Sequence, residues 1–399
     1  MDFEISYSTT NLVSMRLKSL RFSRFEGEAN EWCLVGKPEQ GVDTPVTFGD
    51  VNLIVGKNAT GKTKTVMAIR QLADLLAGKV KLSNLIYKTS KYEVRFSEGE
   101  KDISYILDFK EGSVIQEQFV QNGKTLLDRK EKRLYYEEVG KNLSFDIDEN
   151  MVAASRVDKK QQSFFEGIYS WAKNLNLYRF GTPMGKGTFL RDLEAINDER
   201  EIDLKDSDEI AEIFIRGKRQ QPETYEKNVL DDMREIDYHL DKIETSRLKY
   251  IPVPFFGISV KEKDVGEITD QHEMSQGMFR ALSLIVQLNY ALQNQLSSCI
   301  LIDDIGEGLD YERSKRLIEL IIKKVEGTTV QVIMTTNNRF VMNKVPLEYW
   351  SVIHRQPQKS VMYNYRNSKV TFDEFAYTGL SNFDFLSSEF YREGFEETA

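Results

Sequence analysis

The sequence contains no apolar run approaching the roughly 18 to 20 residues needed to cross a bilayer, so no membrane partner is expected and the chain reads as cytoplasmic. It has 2 cysteines. Cys33 and Cys299 lie far apart, each inside an apolar strand-like segment, which points to buried thiols rather than a disulfide or a metal pair. The segment from Met1 to Leu20 lacks a basic region followed by an apolar one, so no secretory leader is expected. No internal repeat and no low-complexity tract is present. A formal net charge of -9 excludes a surface that is basic all over, and only a local basic patch would be left to face nucleic acid.

What the chain does have is length and core. Its 399 residues are 40% hydrophobic and 29% charged, a globular composition that suits one core carrying a large insertion. Val13 to Phe22 and Val46 to Val55 read as strands, the second ending in the apolar run Val51 to Val55. A helix follows from Lys62 to Leu76, with Val66, Ile69, Leu72, Ala73 and Leu76 at helical spacing. Strand-like stretches come next at Tyr92 to Phe96, Ile103 to Phe109, Val114 to Phe119 and Leu134 to Tyr136, separated by turn pairs such as Glu111-Gly112 and Asn122-Gly123. Helical patterning then predicts Phe164 to Ala172 and Tyr225 to Arg247, the latter with Leu230, Met233, Asp237, Leu240 and Glu244 along a stripe interrupted by charge. Too few heptads are sustained for a coiled coil, so a short helical lobe is expected. After Pro252 and Pro254 the pattern predicts a strand at Phe255 to Val260, a helix from Ser275 to Gln295 and a strand at Cys299 to Ile302. A helix at Glu312 to Val325, a strand at Val330 to Met334 and a tail to Ala399 complete the reading.

Gly56-Lys57-Asn58-Ala59-Thr60-Gly61-Lys62-Thr63 matches G-x-x-x-x-G-K-[ST] between a strand and a helix. The glycines let successive N–H groups curl around phosphate oxygens, and the helix adds the positive end of its dipole. Lys62 is placed to neutralise the β and γ phosphates of ATP, and Thr63 to offer its hydroxyl to Mg²⁺. Ile300-Leu301-Ile302-Asp303 is a buried parallel strand ending in a carboxylate, suited to holding the Mg²⁺ shell. Asp304 follows where a carboxylate polarises the attacking water. Glu307 is a second candidate for that role, or one member of a solvated acidic loop with Asp310. Met274-Ser275-Gln276-Gly277 opens a helix with a capping serine. Taken alone, that is an ordinary cap.

With these segments in one chain, the sequence resembles the ABC-type ATPases, in particular the branch shared by the SMC proteins and the OLD-like ATP-binding proteins of the AAA group found in bacterial anti-phage defence. The resemblance implies an α/β fold: an ABC-type P-loop ATPase core, a mixed or parallel sheet with flanking helices, and an inserted β-rich and helical lobe. It implies core halves at 1–85 and 255–345, the insertion at 86–254, and a tail at 346–399 packing on the core. It also implies that Ser275 and Gly277 reach the γ-phosphate held by a partner's phosphate loop, that Arg280 completes an S-x-G-x-x-R form, and that Gly308-Leu309-Asp310 is the D-loop. The expected assembly is therefore a homodimer or higher oligomer joined through composite ATP sites. In the family a histidine follows the next strand; here Asn337 holds that position and cannot take a proton near neutral pH, so slow or partner-activated hydrolysis is expected. The family's Q-loop glutamine has three candidates, Gln116, Gln118 and Gln121.

The function implied is an ATPase acting as a nucleotide-gated scaffold or sensor beside a separate effector, a nuclease or toxin, with DNA as a further partner. The alternatives are a transporter's nucleotide-binding subunit, disfavoured by the large insertion, and an ATP-binding regulator with little turnover. An intrinsic Toprim nuclease, such as OLD nucleases carry after the ATPase, is not expected, because the segment after Asn338 has no dense carboxylate cluster. The basic runs Arg129 to Arg133 and Arg216 to Arg219 fit either phosphate contacts or solvated loops.

Overall fold

The computed structural model describes residues 15–156, 158–193, 202, 209–249, 253–294 and 299–394. Val13 and Ser14 of the expected first strand, Pro252, Gln295 and the last five residues of the tail lie outside these.

One 16-stranded mixed sheet organises the chain. Its parallel part runs Trp350–Gln356, Val51–Val55, Gln331–Thr335, Cys299–Asp303 and Asn176–Arg179 as hydrogen-bonded neighbours. Val51–Val55, Cys299–Asp303 and Gln331–Thr335 are buried at every residue, which is why they read as unbroken apolar runs: helices cover both faces of a parallel sheet. On one face Ile54, Leu301 and Ile333 join the helices Lys62–Leu76 and Glu166–Lys173. On the other, Leu53, Val55, Ile302 and Met334 pack with Gln276–Gln293 and Tyr311–Val325.

From Trp350–Gln356 the sheet continues through its hairpin partner Lys359–Asn364, then Trp32–Glu39 and Met15–Arg24, into antiparallel strands that include Ser90–Glu98, Lys101–Lys110 and Ser113–Gln121. These alternate buried and more exposed residues because one face meets the core. Glu111-Gly112 and Asn122-Gly123 have positive φ at both residues, the turn geometry that matches strand twist.

Three expectations are revised. The helix expected over Tyr225 to Arg247 ends at Glu235, and Leu240–Arg247 is a strand paired with Phe256–Glu262. Asp237 marks the break at φ 67. The charged stripe left no continuous apolar face to hold a longer helix, and sheet pairing with a distant segment won. Val46 to Val55 is two strands, Val46–Thr47 beside Met15–Arg24 and Val51–Val55 in the parallel core. Finally, 86–254 was expected as an insertion, yet Asn176–Arg179 runs parallel beside Cys299–Asp303 within the core sheet; its four residues are too short to show as a pattern. Among the described residues, no helix is long and apolar enough to cross a membrane.

Candidate functional site

The central parallel strands deliver the site residues to one edge. Val51–Val55 leads into the loop Gly56 to Gly61, and Lys62–Leu76 begins at once. Gly61 caps that helix at φ 113. A side chain there would be strained in conformation and would also meet Ser360 Oγ at 2.9 Å and Trp32 Cζ2 at 3.2 Å. Lys62 is buried, and its ammonium donates to the carbonyl oxygens of Gly56 at 2.7 Å and Lys57 at 3.1 Å. Burial lowers its pKa, opposed by the charges of Asp304 and Asp303. Thr60 Oγ1 donates to Lys57 O at 2.9 Å and closes the loop on itself. Lys57 pairs outward with Glu389 of the tail. Asn58 and Ala59 are exposed between them, Ala59 with φ 61.

Asp303 ends the strand Cys299–Asp303, one strand removed from the phosphate-loop strand; it is buried, and its Oδ1 accepts from Thr63 Oγ1 at 3.1 Å and from Thr335 Oγ1 at 2.7 Å. Two hard oxygen donors, a hydroxyl and a carboxylate, thus sit within hydrogen-bond reach of each other at the phosphate loop. That donor set fits Mg²⁺, which takes few protein ligands and completes its shell with water and phosphate oxygens. Asp304 is half-buried with φ 57. Its pKa is raised, first by burial and then by the charges of Asp303 and Glu307, with Lys62 opposing. Asn337 Nδ2 donates to Asp304 Oδ1 at 3.3 Å. Lys62, Thr63, Asp303, Asp304 and Asn337 therefore converge.

The remaining predicted residues form an adjoining group. Ser275 is exposed and caps the helix Gln276–Gln293, accepting from Met278 N at 3.2 Å. Gly277 is buried against Gly308 and Leu309 of its own chain: a Cβ there would lie 2.6 Å from Gly308 O. Arg280 ties the same two elements, donating to Glu307 O at 2.9 Å and to Thr182 O at 3.1 Å. The Glu307 side chain is exposed beside Gly181. Asp310 caps the next helix, and hydrogen bonds from the Arg313 backbone N–H and guanidinium hold its carboxyl below the usual range.

Several site residues gave no sequence signal. A cavity of about 270 Å³ beside the loop is lined by Thr60, Gly61, Lys64, Trp32, Arg24 and Arg355, among others. Arg24 lies over the Tyr87 ring at 4.2 Å and Lys64 over Trp32 at 5.3 Å. Lys64 has a lowered pKa from burial and from the nearby cations Arg24 and Arg355, and these three cations line the cavity together with one carboxylate, Glu31. These residues are scattered along the chain, and only the sheet assembles them. The glutamine candidates Gln116, Gln118 and Gln121 all sit on Ser113–Gln121 in the antiparallel part, where Gln118 donates to Asp128 at 3.0 Å. In the basic runs, Arg129 pairs with the buried Glu117, Lys132 with Asp146, Arg133 with Glu131, Arg216 with Glu212 and Lys218 with Glu226. That charge is used internally.

A family model described as AAA domain, putative AbiEii toxin, Type IV TA system, matches residues 51–343. No curated protein matches the chain. Among solved structures, an SMC head bound to the C-winged helix domain of ScpA is similar at 16% identity, covering 87% of this chain and 96% of that one, with a TM-score of 0.52. An SMC head domain from Thermotoga maritima matches at 15% identity, 88% and 98% coverage and a TM-score of 0.44. An SMC head with an extended coiled coil, bound to the C-terminal domain of ScpA derived from Pyrococcus furiosus, matches at 15% identity, 91% and 100% coverage and a TM-score of 0.49. At such identities the likeness is one of fold: a mixed sheet with flanking helices, as in an SMC head.

Proposed function

The chain belongs to this AAA-domain family, and from that premise we propose that it binds ATP with Mg²⁺ and hydrolyses it slowly, in composite sites formed between two copies. The observation that carries the reading is the contact of Thr63 Oγ1 with Asp303 Oδ1 at 3.1 Å beside the buried Lys62. It joins a phosphate loop to an acidic strand end in the arrangement that metal-assisted phosphoryl transfer uses. Lys62 would exchange its loop carbonyls for β and γ phosphate oxygens. The nucleoside end would lie against the cationic, aromatic cavity of Arg24, Trp32 and Lys64, where cation–π contacts favour a flat base. Mg²⁺, held through Thr63 and Asp303, would supply charge neutralisation between the phosphates. Asp304 would orient a water and accept its proton as the water oxygen bonds to the γ phosphorus and the bond to ADP breaks.

Ser275 and Gly277 would serve the partner's nucleotide. The exposed Ser275 stands at the N-terminal end of an 18-residue helix, a position that favours an anion. In this reading 1–85 and 255–345 supply most of the ATPase core, 86–254 adds the strand Asn176–Arg179 to its sheet, and the segment after 345 adds Trp350–Gln356 beside the phosphate-loop strand. We assign the biological role to a nucleotide-gated scaffold or sensor in DNA-related or anti-phage defence, working with a separate nuclease or toxin; the toxin–antitoxin description of the family supports this. A regulator with little turnover is the second reading, favoured by Asn337, which hydrogen-bonds Asp304 but cannot relay a proton. Calorimetry of Lys62→Ala tests the site. Nucleotide affinity should fall by at least about tenfold with the fold intact, because the charge-assisted phosphate contacts are lost. Undiminished affinity would remove the assignment.

A further inference from the structure

We infer that Thr335 is a positioning residue for both acidic residues of the site, acting through its hydroxyl; the inference rests on the nucleotide-site reading above. Thr335 ends the strand Gln331–Thr335, which lies between the phosphate-loop strand and the Cys299–Asp303 strand, with Thr335 itself opposite Ile54. The three residues before it, Val332, Ile333 and Met334, are apolar, and burial alone would be met by valine. Instead a hydroxyl stands at a fully buried position, which is tolerated only when it is hydrogen-bonded. It is used in both directions, donating to Asp303 Oδ1 at 2.7 Å and accepting from the Asp304 backbone N–H at 2.9 Å. The Thr335 carbonyl then accepts from Ile305 N at 2.9 Å. One residue thus grips three successive positions, Asp303 to Ile305, at the end of the neighbouring strand.

Two consequences follow from that grip. Asp304 holds a left-handed backbone at φ 57, a conformation that persists in a residue with a side chain only when its surroundings impose it. The bonds from Asp304 N–H and Ile305 N–H to Thr335 bracket that turn on both sides. Second, Thr63 and Thr335 share the same oxygen of Asp303, which fixes the carboxylate's rotation and leaves Oδ2 as its other acceptor. Partners that orient a metal's ligands in this way typically account for tenfold to a hundredfold in affinity or activity. Thr335 would touch neither nucleotide nor ion; it sets where the groups that do so stand.

The test compares Thr335→Val, which keeps shape and removes the hydroxyl, with Thr335→Ser, which keeps the hydroxyl, in the full-length protein. Affinity for a non-hydrolysable ATP analogue is measured with Mg²⁺ and with chelator, and turnover is followed separately. Thr335→Val should weaken Mg²⁺-dependent binding about tenfold or more, leave the chelator value within about twofold because Lys62 and the loop are untouched, and lower kcat. Thr335→Ser should restore all three. Wild-type Mg²⁺ dependence in Thr335→Val overturns the inference, as does a serine variant as impaired as valine. Thr335→Ala serves the same comparison if the valine protein fails to fold. Absence of nucleotide binding by the wild type in either condition would refute the nucleotide site itself.

Discussion

Gly277→Ala sets two effects of known sign against each other. Gly277 is the second residue of the helix Gln276–Gln293, and alanine is the better helix former by up to about 1 kcal/mol, less in the first turn. On helix propensity alone the substitution should stabilise. The added methyl, however, would lie 2.6 Å from Gly308 O and 3.2 Å from Leu309 Cδ2, whereas carbon–oxygen contacts settle near 3.3 Å. The obstacle is a backbone carbonyl, so no side-chain rotation relieves it, and the helix start or the Gly308-Leu309 loop must move. Overpacking of this kind costs about 1 to 3 kcal/mol, which exceeds the helix gain. The expected result is a net loss of about 1 kcal/mol, read as a fall in Tm of a few degrees at most for a chain of this size. ATP turnover should fall further than stability, because the two displaced elements carry Ser275 and Glu307. Thermal melts of both proteins, with turnover measured well below Tm, decide the matter. A variant as stable as the wild type, or more so, would refute the packing argument.

Asp304→Asn should abolish most turnover while leaving nucleotide affinity near the wild-type value, since the side chain acts on water; if hydrolysis persists, Glu307→Gln should be the variant that stops it. The raised pKa of Asp304 also sets a pH dependence. A carboxyl whose folded pKa exceeds its unfolded value stabilises the fold below about pH 4, and that contribution is lost as pH rises through the folded value. Asp304→Asn should therefore be the more stable protein at neutral pH, with the difference shrinking on acidification, and the acid limb of wild-type turnover should lie above the ordinary carboxylate range. Melts across pH that show the wild type gaining on the variant as pH rises would contradict this.

The parts legible in the sequence were those encoded by contiguous residues. The phosphate loop, the strand ending in Asp303 and the cap at Ser275 are each local patterns whose burial or turn chemistry writes itself into neighbouring positions. The hairpins at Glu111-Gly112 and Asn122-Gly123 were readable for the same reason. What escaped depended on distant pairing. Leu240–Arg247 is a strand because Phe256–Glu262 lies beside it, and Asn176–Arg179 because it docks on Cys299–Asp303. The cationic cavity draws Arg24, Trp32, Lys64 and Arg355 from different elements. Thr335 looks like one more member of an apolar strand until its hydroxyl is seen between Asp303 and Asp304. The basic runs left phosphate contacts and solvated loops both open because charge counts do not reveal partners; Arg129 and Arg216 pair with Glu117 and Glu212.

The central claim, a site shared between two chains, is tested most directly by mixing. Lys62→Ala removes the phosphate contact from one half of a site, and Ser275→Arg blocks the other half by bulk, so each homodimer should be inactive. Mixed dimers would contain one site built from two intact halves across an isologous interface. ATPase activity should reappear on mixing, at a fraction of the wild-type level. No recovery in mixed dimers shown to form, together with a crosslink placing Ser275 beside Lys62 of its own chain, would contradict the shared site.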